Sequence, residues 1–453
     1  MVEKNKSSIG LIAAYAVAVG LSVGGGMWAT PTVVSSMVGP LVLVLPLLAV
    51  ISMLILAPTY FTLVKIWPTA AAHYKYPAML LLPEKKKFGQ LIGWTHIWSF
   101  IAVVAIVGLH LMVAAGGEFI ANSTPVSYEI TVISLLIIGF VIVWFGIRAV
   151  GITEILLASS ILIAVFALLI PGIPKIQMEN ILISSPNNLN LGVSAFALIY
   201  GIVLPALLMI DLGDDIDNPG DAIPRSILVG IFGNMGIAFL MGLLSVGVLP
   251  YTELSGNTIA IVATQYLPSE LLIIVAIGAL VAGFSSLVGL ITLLSRYLNA
   301  AANDGILPTW SGKLNKYGEP KYLLLLQFII AIPSVFVGLP LRTIIGAATL
   351  SYLVGASLIM MIGIRMPRLY PEEFNKERLK SWIHNPKIVQ FSALLGLIIN
   401  LAAFIYLSYS DTIAFLIWLG MVVIGAIIFF IRILQSQNIV LPRGPDDLSI
   451  KFE

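Results

Sequence analysis

The chain has 453 residues, 59% of them hydrophobic and 10% charged, with a formal net charge of +2. Soluble domains carry about 25% charged residues, so this composition, with a mean hydropathy of +1.03, excludes a water-soluble fold and points to a polytopic membrane protein. Zero cysteines exclude disulfides and thiol-held metals, and no cofactor, metal or nucleic-acid partner is expected beside the lipid bilayer.

Segments of about 20 apolar residues suffice to cross a bilayer. Hydropathy read against glycine, proline and charge breaks predicts an all-α integral membrane fold of twelve spans, at about 9–36, 40–65, 91–120, 129–147, 151–171, 192–216, 225–249, 270–301, 321–339, 342–366, 388–408 and 411–434. The first run is too long for a signal peptide and lacks a small-residue cleavage site, so it reads as span 1. With the N-terminus in the cytoplasm, all of the 24 lysines and arginines except Lys175 and Arg342 fall on the inner side. That asymmetry places both termini in the cytoplasm of a multi-pass plasma-membrane protein.

Span 1 contains Gly24-Gly25-Gly26-Met27-Trp28-Ala29-Thr30-Pro31. An interior helical glycine costs roughly 1 kcal/mol, and proline removes a backbone donor. The run therefore predicts a helix broken in mid-membrane. Span 6 carries Gly201 and Pro205, and paired interruptions five spans apart predict two inverted five-helix halves, 9–171 and 192–366, followed by helices 388–434, all in one transporter domain.

Unwound backbone survives in hydrocarbon only where it lines a cavity or meets polar groups. N–H groups freed at Gly24, Gly25 and Gly26 suit a carboxylate. Carbonyls freed at Leu21 and Ser22, with more from Tyr200, Gly201, Ile202 and Val203, suit an ammonium group. The expected partner is an amino acid, with the aromatic rings of Trp28 and Tyr200 as candidate gates.

Intramembrane ionisable groups are candidates for coupling. His110 lies within span 3 and Asp211 in the cytoplasmic half of span 6, whereas Glu118 and Glu154 lie near span ends, within reach of water. His73, His96, His110 and His384 are scattered, and H-E-x-x-H, G-x-S-x-G and a clustered set of acids and histidines are absent. Enzyme chemistry is thus not expected.

Four blocks of sequence resemble the amino acid, polyamine and organocation transporters of the leucine-transporter fold. They are GGGMWATP in span 1, DDIDNPGDAIPRSI from Asp214 to Ile227, SRYLNAAANDGILPTWSGKLNKYGEPKY from Ser295 to Tyr322, and RMPRLYPEEF from Arg365 to Phe374. The resemblance implies a pocket between spans 1, 3, 6, 8 and 10, walled by Val103, Val104, Gly108 and Leu290. These positions are apolar, and no carboxylate among them would meet a distal cation, so a neutral, apolar amino acid is favoured over arginine or a polyamine. Anchored on Asn218-Pro219, the family's span-6 glycine would fall near Pro205, four residues after Gly201. The proton-coupled relatives' lysine in span 5 is missing here. Ser285 and Ser286 match hydroxyls that form a sodium site with carbonyls near Val19 and Ser22 in sodium-coupled members; close helix packing is the other reading. Proton symport, sodium symport and exchange stay open, as do a non-transporting sensor on the same fold and the oligomeric state.

Overall fold

A computed structural model describes residues 8–114, 125–186, 188–254, 258–336 and 341–435. In hydrocarbon the backbone groups of an apolar run can bond only to one another, which makes such runs helical. The principal helices are α1 Leu11–Ser22, α2 Thr30–Val38, α3 Leu45–Ile66, α4 Lys86–Ile101, α5 Tyr128–Trp144, α6 Ile147–Gly172, α7 Leu189–Val203, α8 Pro219–Val248, α9 Ser269–Asn303, α10 Lys321–Ser334, α11 Leu341–Leu369, α12 Pro386–Ser410 and α13 Thr412–Gln435. Among the described residues, nine helical segments are long and apolar enough to cross a membrane. The other predicted spans fall on shorter apolar helices: α1 with α2, α5 and α10.

Boundaries shift where local chemistry overrides hydropathy. The predicted start at 225 moves back to Pro219, because Asn218 takes a left-handed φ of 47° and proline suits the first helical position. In span 3, α4 gives way to wider π-helical turns over Ala102–Gly108, a form that often marks functional sites.

The short α1 runs through the middle of the bundle, packed against α6, α8 and α9, while α2 lies against α7 and α8. Small residues make these approaches possible. A Cβ on Gly20 would lie 2.2 Å from Ser285 Oγ, one on Gly24 would lie 2.4 Å from Ser286 Oγ, and one on Gly283 would lie 1.7 Å from the Met112 carbonyl. By contrast, α12 and α13 are peripheral: only 28% and 17% of their most apolar windows are buried, against 72% for the window around α11.

One end of the bundle is sealed by charged and polar ties. Arg296 on α9 donates from Nε to Asp215 at 2.7 Å and from its two terminal nitrogens to Glu319 at 2.5 and 2.9 Å, all three residues being buried. The chain before α1 joins the same end, because Ile9 N–H donates to the Asp215 carbonyl and Asp217 N–H to the Ile9 carbonyl. Tyr74 donates to Asp304 at 2.5 Å just beyond α9. Burial pushes the Asp304 carboxyl above its usual range, and the Tyr74 hydrogen bond acts in the opposite direction.

Candidate functional site

The interruption of span 1 falls on the predicted residues. α1 ends at Ser22, Val23 and Gly24 leave the helical region, and a single 3-10 turn covers Gly25–Trp28 before α2 begins at Thr30. Gly24 is extended, at φ −88° and ψ −171°. Met27 N–H bonds back to the Gly24 carbonyl and Ala29 N–H to that of Gly26. Among the described residues, no acceptor meets the N–H groups of Gly24, Gly25 and Gly26. These are the orphan donors that open any new helical segment.

The carbonyls that end α1 are less free than the sequence suggests. Ser22 Oγ donates to Ala18 O at 2.6 Å, Val23 N–H to Val19 O at 2.6 Å, and Ser286 Oγ to Gly20 O at 2.7 Å. Asn234 on α8 donates its amide to the Ser22 carbonyl and, at 2.9 Å, to that of Ile202. Leu21 therefore keeps the one carbonyl in this stretch without a partner among the described residues. Asn234 escaped the sequence reading; the signal was an uncharged amide inside the apolar run IFGNMGIAFL.

The second interruption corrects an expectation. Tyr200, Gly201, Ile202 and Val203 stay within α7, and the chain tightens into a 3-10 helix only over Leu204–Asp211, beginning beside Pro205. Gly201 serves close packing instead, since its added Cβ would lie 3.1 Å from Thr349 Oγ1. The Ile202 side chain does approach the span-1 break, with Cγ2 3.6 Å from the position of a Cβ on Gly26.

Both gate candidates have contacts elsewhere in the bundle. The tip of the Trp28 ring packs at Gly278 of α9, five residues before the Gly283 that faces Gly25. Tyr200 stacks on Phe196 with ring centroids 5.5 Å apart and donates to Asn400 Oδ1 at 2.9 Å. Since that hydroxyl is committed to α12, Tyr200→Phe should change substrate affinity less than about twofold while costing about 1 kcal/mol of stability. Ligand titration and thermal unfolding of the purified variant check both; a tenfold affinity loss would return Tyr200 to the substrate.

Of the proposed walls, Val104 and Leu290 are buried in the main core. Val103 belongs to a separate cluster with Ala347, Leu350 and Ala414, directed toward α11 and α13. Gly108 closes the π-helical stretch, and its surroundings lie outside the described residues, as does Glu118 altogether. Beside Ala29 and Thr30 opens a cavity of about 260 Å³, lined mainly by apolar atoms of residues such as Val33 and Leu198, with Thr349 and Tyr406 at its polar margin.

The ion-coupling candidates separate clearly. His110 Nδ1 meets Ser334 Oγ at 2.9 Å, a bond to a neighbouring helix. Ser286 holds the Gly20 carbonyl, and Ser285 donates to Glu154 Oε2. Glu154 does not reach water: it is fully buried, and its Oε1 has no partner among the described residues. Asp211 is also fully buried, and it gathers His73 and Tyr297 around it. Two of the histidines that looked scattered in the sequence, His73 and His96, come within 6.2 Å between ring centroids.

Repeated apolar crossings, with one span interrupted around backbone donors that lack acceptors among the described residues, define a multi-pass membrane protein. The chain belongs to the amino acid permease family, whose description matches residues 9–429, within the amino acid, polyamine and organocation superfamily. It is 29% identical over 316 residues to the branched-chain amino acid permease BcaP of Lactococcus lactis subsp. cremoris (strain MG1363), covering 64% of this chain and 66% of that protein. Over 320 residues it is 22% identical to the uncharacterized amino acid permease YecA of Bacillus subtilis (strain 168), covering 70% of this chain and 73% of that protein. The family is one of permeases, not of enzymes.

Proposed function

We propose that this protein is a secondary active transporter that carries a neutral, apolar amino acid by alternating access, with symport of a proton or sodium ion. The observation that carries the reading is the break at Val23–Ala29, where, among the described residues, three N–H groups lack acceptors and the nearby Leu21 carbonyl lacks a donor. A zwitterion answers both: its carboxylate accepts from Gly24, Gly25 and Gly26, and its ammonium donates to Leu21. Charged ligands gain most from such contacts, because hydrogen bonds to ionised groups are stronger than neutral ones.

The apolar cavity beside Ala29 and Thr30 supports an uncharged side chain, and so does the printed name of BcaP, a branched-chain amino acid permease. A buried acid facing that cavity would favour a cationic amino acid or polyamine; Asp411 lines it, but its Oδ1 accepts from Ala414 N–H at 3.0 Å at the start of α13. In this reading the chain makes twelve spans as two inverted five-helix halves and two added helices. The lysine and arginine asymmetry puts both termini, and the Arg296 end of the bundle, in the cytoplasm.

Uptake of labelled amino acids into proteoliposomes under imposed proton or sodium gradients tests the proposal. Leucine, isoleucine and valine should enter, and arginine and putrescine should not compete. Binding without uptake or counterflow would assign the protein a sensor's role, and flux that requires an internal amino acid would make it an exchanger.

A further inference from the structure

We propose that the ion carried by this protein is a proton and that it binds at the buried His73–Asp211 pair, on the Nε2 atom of His73. The inference rests on the transporter reading above and adds to it the identity of the ion and its site.

Five elements meet there. A one-turn helix, Ala72–Tyr76, brings His73, the 3-10 segment Leu204–Asp211 brings Asp211, and α3, α4 and α9 bring Tyr60, His96 and Tyr297. His73 Nδ1 meets Asp211 Oδ2 at 2.6 Å, the Tyr297 hydroxyl donates to the same oxygen at 2.8 Å, and the His73 backbone N–H donates to Oδ1 at 2.8 Å. Two of the three contacts are donations to the carboxylate, and an ionised carboxylate, which can only accept, makes the third, from His73 Nδ1, a donation as well. No lysine or arginine pairs with Asp211 among the described residues; Lys75, two residues beyond His73, donates instead to Thr69 at 2.9 Å.

The protonation bookkeeping follows from these contacts. With hydrogen on Nδ1 committed to Asp211, the Nε2 lone pair of a neutral His73 accepts from the Tyr60 hydroxyl at 3.2 Å. An ionised Asp211 beside a neutral His73 would leave a net negative charge in the interior, an expensive arrangement. One proton added to Nε2 makes an imidazolium beside a carboxylate, and the pair becomes neutral; Tyr60 turns its hydroxyl to accept, and no other proton leaves. Histidine is the side chain suited to gaining and losing a proton near neutral pH.

A narrow cavity of about 10 Å³, room for roughly one water molecule, lies between Tyr60, His73, His96 and Tyr297, with Ser351 and Tyr352 of α11 on its far wall. His96 lines the same space, and its Nδ1 has no partner among the described residues. Tyr76 and Asp214 are further titratable groups beside the pair, as are Tyr200 near Tyr60 and Tyr352 near Tyr297. The 3-10 segment that ends at Asp211 begins directly after α7, where the Ile202 carbonyl shares the Asn234 amide with the Ser22 carbonyl at the break. In this proposal a change of charge at Asp211 acts through the 3-10 segment on the two carbonyls that Asn234 joins at the break.

The test uses the full chain in proteoliposomes with labelled leucine, comparing counterflow without gradients and accumulation driven by an inside-alkaline pH gradient. Wild type should do both. Asp211→Asn and His73→Gln should keep counterflow within about threefold and lose about tenfold or more of the pH-driven accumulation, the size of a typical coupling between two sites. Tyr297→Phe removes one donor from the carboxylate and raises the proton affinity of the pair, so its accumulation profile should move to higher pH. That shift supports the assignment even where the other two variants fail to reach the bilayer, and an unshifted profile overturns it. Wild-type counterflow without pH-driven accumulation overturns the proton site and leaves the transporter reading intact. No counterflow with any amino acid overturns the transporter reading itself.

Discussion

Gly25→Leu should abolish amino acid binding, and Gly25→Ala should not. A Cβ at position 25 would stand 3.5 Å from the Met112 carbonyl and 3.7 Å from Gly283 Cα, ordinary contact distances, so the backbone accepts a methyl group there. A leucine side chain would occupy the space in front of the unpaired N–H groups. If a carboxylate uses two of them, each charge-assisted bond worth about 1.5–3 kcal/mol, their loss weakens binding about a hundredfold or more. Calorimetric titration with leucine, beside a melting curve to show that the variant is folded, reads the outcome. Unchanged affinity would remove the carboxylate from the span-1 break.

Arg296→Met should be the most damaging change at the opposite end. It would leave Asp215 and Glu319 facing each other in a buried space without the cation that both now bond. Breaking a buried pair by removing one partner costs about 3–5 kcal/mol. The effect should appear as a lowered melting temperature in detergent and, in liposomes, as loss of net uptake. A paired change, Arg296→Met with Glu319→Gln, should recover part of the stability because one uncompensated charge has gone. Equal melting temperatures for the single and paired variants would show that charge compensation is not what holds this end shut.

The difference between what the sequence revealed and what it concealed follows the range of the interactions. The span-1 break was legible because its cause is local: three glycines and a proline alter the backbone where they stand. The span-6 register was not, because Gly201 remains helical and is required by Thr349, almost 150 residues away. For the same reason Asn234 was overlooked, as its acceptors belong to α1 and α7. Glu154 looked solvent-accessible from its place near a span end, yet Ser285 and Gly20 enclose it. His73 and His96 acquire meaning only when the loop helix folds back against α4. Apolar periodicity reports which stretches cross the membrane; it does not report which polar groups the crossings bring together.

Gly20 and Gly24 stand four residues apart, and both face α9, each with one serine hydroxyl too close to admit a methyl group. The Ser286 bond to the Gly20 carbonyl fastens the same seam. The expectation that follows is that in a transport cycle α1 moves together with α9 and that span 1 bends beyond Gly24. Distance probes placed on α1 and α9 should hold a constant separation while those on α2 and α9 change, so that the glycine run acts less as a flexible joint than as the edge of a moving block.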